Sequence, residues 1–443
     1  MLARLSSVLV GLALATSALA APSQVHLGWD GPADTTLTVT WRSTEPTGEV
    51  RFGEATSQER SVAATSAAYG GSFLHEARLT GLSPGTTYRY RAGEGSSVTA
   101  ERTFTTAPAP SARASFRFAA YGDSRTDDAA RARVRAAIQA RQPAFSVDSG
   151  DLVADGNIQS QWDEWFAAME PLIATSPFVP VVGNHEVNSP RFYQQLALPR
   201  RGDSADGETY ASWRYGNVHF LSLNTEIPYG PGSAQYAWLE ADLARAAADP
   251  HVRWIVATFH RPPYSSGSHG SDHGVREAWS PLFERYGVDL VFNGHDHHYE
   301  RSLAFANGVP QGDGGGVVYV VTGGAGAPLY GVVKSDFTAF SRAVHHFVEI
   351  DVTPTELSLE AIDTSGTVFD RLTLTNDVPL PQEDVAPPPY DGDGSSPEDP
   401  LGGLSSLGSS GGSSGGCGSS GGSAALGSAL ALLAVVARRR FRG

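Results

Sequence analysis

The sequence predicts an all-β region followed by an α/β region. Between residues 22 and 108, short alternating apolar runs are separated by turn residues, a pattern typical of a β-sandwich. From 109 to 375, strand-like apolar runs alternate with helix-like segments, which is typical of a layered α/β domain. The length of 443 residues fits this division, since it suits two or three domains.

The composition of the chain excludes several classes of protein. Hydrophobic residues make up 41% of the chain, which is enough for a sizeable core and excludes a wholly disordered protein. The net charge of −15 is opposite to that of a bulk nucleic-acid binder, so we expect no nucleic-acid partner. Cys417 is the only cysteine, which excludes both a disulfide scaffold and a cysteine-based zinc cluster.

The N-terminal region is expected to be a scaffold. Strands are predicted there over 25–29, 37–42, 49–53, 74–80, 88–93 and 101–105. Residues 79–88 resemble the corner between strands E and F of fibronectin type III-like domains. That resemblance implies that the ring of Tyr88 lies in the core while its hydroxyl bonds to nearby backbone. No histidine clusters with acidic residues here, so a scaffold is favoured over a binding role.

The second region is predicted to alternate strands with helices. Its predicted strands are 115–121, 144–148, 178–182, 218–223, 252–259, 288–292 and 317–322. A helix is predicted over 127–141, with acidic residues in its first turn. Trp162, Trp165 and Phe166 stand at helical spacing and are expected in the core. The last stretch, 346–375, is strand-rich and is expected to pair antiparallel at a sheet edge.

Side chains that can bind metal follow the ends of five of these strands. They are Asp123, Asp151, Asn184 with His185, His260, and His295 with His297. Because ligands bind at the carboxyl ends of strands in open α/β sheets, we expect these side chains to meet at one crevice. The glycine before each group is expected to let the backbone turn sharply; these glycines are Gly122, Gly150, Gly183 and Gly294.

This mixture of donor atoms indicates the kind of ion that the crevice would hold. Two carboxylates, one amide oxygen and three imidazoles suit borderline and hard metal ions. The number of donors is enough for two ions if one carboxylate bridges them.

The order of these motifs resembles the metallophosphoesterase superfamily, and within it the purple acid phosphatase-like branch. The motifs are Gly-Asp at 122–123, Gly-Asp at 150–151, Gly-Asn-His-Glu at 183–186, His-Arg-Pro-Pro-Tyr at 260–264, and Gly-His-Asp-His-His-Tyr-Glu-Arg at 294–301. The resemblance covers about residues 25–375. It implies an α/β catalytic domain, with a β-sandwich core flanked by helices, after the N-terminal β-sandwich.

The resemblance also implies a role for each matched residue. Six residues would hold two metal ions: Asp123 and His297 the first, Asn184, His260 and His295 the second, and Asp151 both. His185 would face the substrate phosphate and protonate the leaving oxygen, and His269 would also face the substrate. Iron, zinc and manganese are all compatible with this set.

The sequence departs from the family pattern at two positions. Arg125 stands where the superfamily often has His or Gly, so the first metal ion loses a ligand or takes water instead. Arg125 could contact phosphate directly or form a salt bridge at the strand end. Ala154 stands where the purple enzymes have a Tyr, which implies that the purple colour is absent and makes iron less secure.

The resemblance implies a phosphoric ester hydrolase. The expected reaction is hydrolysis of a phosphate monoester on a small molecule by a metal-bound hydroxide, with His185 assisting the leaving group. One alternative is a phosphodiesterase or nucleotide hydrolase, because the ligand set does not encode the difference. A second alternative is a catalytically inactive surface adhesion protein.

The sequence patterns at the two ends of the chain predict that the protein is exported and attached to a membrane. Residues 1–20 have the pattern of a signal peptide with cleavage before Ala21, and 376–416 have the composition of a linker. Residues 417–443 join Cys417 to an apolar run of about 14 residues and an Arg cluster, resembling the sorting tails of myxobacterial surface proteins. We expect membrane attachment at the cell surface or outer membrane through this tail, or release from it. A weak membrane tail with an incidental cysteine is the alternative.

Overall fold

The computed structural model describes residues 21–55, 59–111, 113–201, 207–311 and 315–381, together with the backbone of 439–442. The predicted signal peptide lies outside the described residues, as do residues 382–438 of the predicted linker and sorting tail. Within the described part of the chain, no helix is both long and apolar enough to cross a membrane.

The N-terminal region consists of two antiparallel sheets. Its strands are β1 (Ser23–Gly28), β2 (Leu37–Ser43), β3 (Glu49–Glu54), β4 (Arg60–Ala63), β5 (Thr65–Tyr69), β6 (Ser72–Leu79), β7 (Thr87–Glu94), β8 (Ser97–Val98) and β9 (Arg102–Thr105). One sheet has the order β1-β2-β6-β5, and the other has the order β4-β3-β7-β8 with β9 also on β7. Apolar side chains of both sheets share one buried cluster, so the predicted β-sandwich is confirmed.

Six of these strands correspond to the predicted ones, while β4, β5 and β8 were not predicted. The residues of β4 and β5 are mostly exposed, so neither strand shows the apolar alternation that marks a half-buried strand. The corner before β7 is as predicted: Tyr88 is buried and its hydroxyl accepts a hydrogen bond of 2.8 Å from the backbone N–H of Ser83.

After the N-terminal region, the described residues form five helices and sixteen further strands, the last of which lies beyond residue 375. The helices are α1 (Asp128–Arg141), α2 (Gln159–Ile173), α3 (Pro190–Gln195), α4 (Ala234–Ala248) and α5 (His273–Tyr286). The strands are β10 (Phe116–Tyr121), β11 (Phe145–Asp148), β12 (Phe178–Pro180), β13 (Ala211–Tyr215), β14 (Val218–Ser222), β15 (Trp254–Thr258), β16 (Leu290–Asn293), β17 (Tyr299–Ser302), β18 (Ala304–Ala306), β19 (Val309–Gln311), β20 (Val318–Thr322), β21 (Thr338–Arg342), β22 (His346–Val352), β23 (Glu356–Asp363), β24 (Val368–Asn376) and β25 (Arg439–Arg442).

Most of these strands form two seven-stranded sheets that pack face to face. Their orders are β12-β11-β10-β22-β23-β24-β25 and β13-β14-β15-β16-β20-β17-β21. The rings of Phe118 on β10 and Phe220 on β14 meet edge to face at 5.2 Å, and both belong to the buried cluster between the sheets. β10, β11 and β12 are parallel to one another, as are β14, β15, β16 and β20. β22, β23 and β24 add antiparallel strands beside β10, as predicted.

Helices cover the outer face of each sheet. α1 and α2 pack on the first sheet, where Trp162, Trp165 and Phe166 are fully buried as predicted, and α4 and α5 pack on the second. α1 begins where the sequence predicted, because the side chain of Asp127 accepts a hydrogen bond from the N–H of Ala130 and caps the helix. The layered α/β fold with a β-sandwich core is therefore confirmed.

The N-terminal sandwich packs directly on the second region through α2. The ring of His26 on β1 stacks on Phe166 at 5.0 Å. Arg42 donates a 2.7 Å hydrogen bond to Asp163, which also accepts one from Gln24. These contacts orient the N-terminal sandwich against the domain that carries the candidate site.

Candidate metal centre

The candidate metal-binding residues lie close together at one end of the two facing sheets. Asp123, Asp151 and Asn184 follow β10, β11 and β12 in the first sheet, whereas His260 and His295 follow β15 and β16 in the second. The backbone N–H of His295 donates to the carboxylate of Asp123, at 2.9 Å to Oδ2, and so joins the two sheets. The candidate ligands thus lie together at the strand ends, as expected, and they come from both layers.

The left-handed backbone positions fall on candidate ligands and not mainly on the glycines before them. Asp123, Asp151 and His295 have φ angles of 56°, 59° and 72°, a left-handed conformation that L-residues with a Cβ adopt at a cost. Of the four glycines, only Gly150 has a positive φ. The prediction that these glycines make the turns is therefore wrong for the other three.

Close packing explains the glycines instead. A Cβ on Gly183 would lie 2.2 Å from Oδ1 of Asp151, and one on Gly294 would lie 2.4 Å from Oδ2 of Asp123. Both distances are far shorter than a van der Waals contact. The carboxylates therefore occupy the space that a larger residue would need.

The first group of converging atoms centres on Asn184. Its Oδ1 lies 2.9 Å from Nε2 of His260 and 2.8 Å from Nδ1 of His295. Oδ1 of Asp151 lies 3.4 Å from Nε2 of His260. Nδ1 of His260 donates to the carbonyl of Ser149 at 2.9 Å, so its Nε2 carries the lone pair in the neutral ring.

The arrangement of these atoms, which point towards one another, fits a bound cation. Amide oxygen, carboxylate oxygen and an imidazole lone pair are all acceptors, and acceptors in contact repel each other unless a cation or a proton lies between them. Asp151, Asn184, His260 and His295 thus form a four-residue set of the oxygen and nitrogen type that divalent ions accept.

The second group contains Asp123, Asp151 and His297. One donor atom from each of the three lies within 4.8 Å of the others, and all three residues are buried. Nδ1 of His297 donates to the carbonyl of Pro328 at 2.8 Å, which leaves Nε2 as the lone-pair nitrogen. This Nε2 lies 3.5 Å from Oδ1 of Asp123.

Arg125 reaches into this second group. Its Nε lies 3.4 Å from Oδ2 of Asp151, and its Nη2 lies 3.2 Å from Nε2 of His297. The side chain is 13% exposed. Of the two contacts expected for Arg125, the structure contains the salt bridge, and its partner is Asp151.

His185 lies beside the centre with one ring nitrogen free to act. Its backbone N–H donates to Oδ1 of Asp151 at 3.0 Å, and its Nδ1 donates to the carbonyl of Ala154 at 2.7 Å. Nε2 lies 3.8 Å from Oδ2 of Asp151. Where the purple enzymes have a Tyr, this chain supplies only a backbone carbonyl that orients His185.

His269 lies at the exposed rim of the centre. Its ring stacks on His295 at 4.2 Å, and its Nε2 lies 3.3 Å from the hydroxyl of Tyr330. Its backbone N–H donates to Oδ1 of Asp296 at 2.9 Å. The structure therefore places His269 beside His295, and its contact with a substrate stays a prediction.

Two residues of the centre had no role in the sequence analysis. Tyr330 stacks on His297 at 4.1 Å, and nothing in the sequence around it marks it. Glu186, although part of a predicted motif, has a structural role, since its carboxylate accepts backbone N–H bonds from Gly183 at 2.8 Å, Asp151 at 2.9 Å, and Leu152 at 2.8 Å. It thereby holds the loops after β11 and β12 together.

Burial and charge act in opposite directions on the carboxylates of this region. Burial raises the pKa of Asp148 well above its usual range and raises that of Glu186 to about 7. Burial also acts to raise the pKa of Asp151, but His260, His185 and Arg125 outweigh it, so that the pKa of Asp151 is lowered. The carboxylate of Asp151, between the two groups, is therefore held ionised.

Family models match both folded regions. Residues 116–299 match the model of calcineurin-like phosphoesterases, and residues 22–106 match that of the purple acid phosphatase N-terminal domain. Mouse acid phosphatase type 7 is 32% identical over 347 residues, covering 69% of this chain and 78% of that protein.

Further relatives match over a smaller share of their length. An uncharacterized protein of Mycobacterium tuberculosis is 32% identical over 329 residues, covering 63% of this chain and 61% of that protein. Purple acid phosphatase 23 of Arabidopsis thaliana is 31% identical over 295 residues, covering 58% and 63%. The chain thus spans about three fifths of the length of these two relatives.

Solved structures share the fold. A purple acid phosphatase from yellow lupin seeds aligns with a TM-score of 0.72 at 22% identity, covering 80% of this chain and 74% of that one. The structure of PhoD aligns with a TM-score of 0.61 at 14% identity, covering 80% of this chain and 90% of that one.

Proposed function

The chain belongs to the purple acid phosphatase branch of the metallophosphoesterases, and we propose that it is a metal-dependent hydrolase of phosphate monoesters. The observation that carries this proposal is that Nε2 of His260 lies within 3.4 Å of oxygen atoms of both Asn184 and Asp151. A cation could be bound between these three atoms. The printed names of the mouse and Arabidopsis relatives, an acid phosphatase and a purple acid phosphatase, support the same reaction class.

The bound ions would activate water and offset the charge of the phosphate. Iron, zinc or manganese would serve, since all three accept oxygen and imidazole ligands. Six residues would hold them: Asp123, Asp151, Asn184, His260, His295 and His297. Asp151 lies in both groups of converging atoms, as a bridging ligand must.

His185 is the proposed proton donor. Because Nδ1 is already bonded to the carbonyl of Ala154, a proton destined for the leaving oxygen would be carried on Nε2. The ring is 32% exposed, so an incoming phosphate ester can reach that nitrogen. His185 thus orients and protonates, and no side-chain nucleophile is required.

The polar and charged side chains around the centre favour the binding of monoesters. His185 and His269 both lie there, and the guanidinium of Arg125 adds a permanent positive charge. A monoester carries one more negative charge than a diester, so this surrounding would bind it more strongly.

The test is a comparison of chromogenic monoester and diester substrates with the metal-loaded protein. We expect the monoester to be hydrolysed faster, and Asp151→Ala to lower kcat/KM by about 1,000-fold or more. Asp336→Ala removes an exposed carboxylate and serves as the control, with activity within about twofold of the original.

Three results would contradict the proposal in different ways. Equal activity of Asp151→Ala and the unmodified chain would refute catalysis at this centre. Faster diester hydrolysis would support the phosphodiesterase alternative. Metal binding without hydrolysis of either substrate would support the inactive adhesion protein.

We also propose export and attachment to the cell surface through Cys417. Support comes from the sequence pattern of 1–20 and 417–443. N-terminal sequencing should show Ala21 as the first residue, and fatty-acid labelling should be lost in Cys417→Ala. Labelling that persists in this variant would refute attachment through Cys417.

A further inference from the structure

The two groups of metal-type residues differ in what their donor atoms already contact. In the group around Asn184, the candidate ligands contact one another: Oδ1 of Asn184 lies 2.9 Å from Nε2 of His260, and Oδ1 of Asp151 lies 3.4 Å from the same nitrogen. Nδ1 of this ring is occupied by the carbonyl of Ser149. In the neutral ring, Nε2 therefore offers its lone pair to a metal ion that also contacts Asn184 and Asp151.

In the group around Asp123, two of the three donors already face a cation. The lone pair on Nε2 of His297 points to Nη2 of Arg125 at 3.2 Å, because Nδ1 of that ring donates to Pro328. Oδ2 of Asp151 faces Nε of Arg125 at 3.4 Å. An incoming metal ion would have to replace both of these contacts.

Arg125 is poorly suited to step aside. A guanidinium stays protonated and has no acceptor atom, so it cannot become a ligand. Its side chain is 13% exposed, and Nη1 contacts the hydroxyl of Thr126 at 3.3 Å. A positive charge this close also repels a divalent ion directly.

Among the His, Cys, Asp and Glu side chains of the described residues, the candidate group contains Asp123, Asp151 and His297 alone. Ala154 presents its carbonyl to His185 and has no side-chain donor. The first site thus has three candidate ligands with a guanidinium beside two of them, while the second has four candidate ligands.

We propose that Arg125 takes the place of the first metal ion's charge, so that the chain holds one ion tightly, at Asp151, Asn184, His260 and His295. The first site then binds an ion at least about tenfold more weakly. This inference rests on the proposed metal centre and deepens it, because it assigns unequal roles to the two sites.

The experiment is a metal titration of the full chain. The metal-free protein is titrated with Zn²⁺ and with Mn²⁺ by calorimetry, and bound metal is counted by mass spectrometry after dialysis. We expect one tightly bound ion per chain. Arg125→Ala should raise the tightly bound count to two, and Arg125→His, which supplies an imidazole, should bind the second ion more tightly still. Arg125→Lys keeps the charge and should stay at one.

Arg133→Ala is the matched control, since Arg133 is exposed on α1, and its count should equal that of the unmodified chain. Two equally tight ions in the unmodified chain would overturn the inference, as would a count of one in both Arg125→Ala and Arg125→His. Thermal unfolding of each variant checks that the chain is folded.

The two proposals fail in distinguishable ways. A chain that hydrolyses monoesters while holding two equally tight ions overturns the role of Arg125 and leaves the phosphatase proposal standing. A folded chain that binds neither Zn²⁺ nor Mn²⁺ overturns both.

Discussion

Oδ1 of Asn184 and Nε2 of His260 face each other at 2.9 Å, although both are acceptors in the neutral state. They lie after strands of different sheets, so a cation between them would link the two layers of the core. Metal binding is therefore expected to stabilise the whole domain and not only the loops that carry the ligands.

Removal of metal should lower the melting temperature. Metal added at 100 times its Kd should raise the free energy of unfolding by about 2.7 kcal/mol. In His260→Ala the added metal should have little effect, because the remaining ligands no longer surround the ion. The exposed His273 gives a control, His273→Ala, which should keep the full metal-dependent shift. A shift of equal size in His260→Ala would show that the ion binds elsewhere. Differential scanning fluorimetry measures all three.

Gly183→Ala should impair metal binding without touching a ligand. The added Cβ would lie 2.2 Å from Oδ1 of Asp151, so the carboxylate must move. We expect metal affinity to fall at least about tenfold, as measured by calorimetry. Gly230→Ala is the matched control, since a Cβ there meets no atom within 4 Å. Unchanged affinity in Gly183→Ala would mean that the loop relaxes without moving Asp151.

The features that could be predicted are those whose sequence signal is local. Asp123 and His295 each follow a buried apolar strand by two residues, so the pattern for the strand and the metal-binding residue lie within a few positions. The strand ends, and the convergence of their side chains at one crevice, could therefore be predicted. The left-handed backbone of these ligands and the clash that requires Gly183 could not, because both depend on the neighbouring loop.

What the sequence missed depends on contacts between distant segments. The sequence allows a phosphate contact or a strand-end salt bridge for Arg125, but its approach to His297 joins residues 172 positions apart. Tyr330 has no motif around it, and only the fold brings it to the same ring. The strands β4 and β5 were missed because their exposed residues carry no hydrophobic pattern.

Tyr330 should contribute to activity through both its ring and its hydroxyl. The ring stacks on His297, and the hydroxyl lies 3.3 Å from Nε2 of His269. Tyr330→Phe should lower kcat/KM about threefold to tenfold, as expected for one hydrogen bond, and Tyr330→Ala should lower it further because the stacking is also lost. Tyr286→Phe, at the end of α5, is the control. Equal activity of all three variants would leave Tyr330 without a role.

Glu186→Gln should destabilise the fold although the side chain keeps its shape. Both carboxylate oxygens accept backbone N–H groups, Oε1 from Leu152 and Oε2 from Asp151 and Gly183. A glutamine turns one oxygen into an NH₂ group that must face these donors. We expect the free energy of unfolding to fall by about 3 kcal/mol, measured by urea denaturation. Glu164→Gln, on the exposed side of α2, should change it by less than about 0.5 kcal/mol.

His26 should make the contact between the N-terminal sandwich and α2 sensitive to acid. Burial against Phe166 lowers the pKa of His26 from 6.5 to about 4. Between these values the unfolded chain takes up a proton that the folded chain resists. The stability that His26 contributes is therefore complete above pH 6.5 and is lost as the pH falls towards 4, by up to about 3 kcal/mol.

His26→Phe keeps an aromatic ring beside Phe166 but cannot be protonated. Its free energy of unfolding should fall less than that of the unmodified chain between pH 6.5 and 4, because the other titrating groups are common to both. Urea denaturation at several pH values measures the difference in slope. The exposed His273 again supplies the control, since His273→Phe leaves His26 in place and should keep the original slope. Identical slopes for His26→Phe and the unmodified chain would mean that His26 is protonated as easily in the folded protein as in the unfolded one.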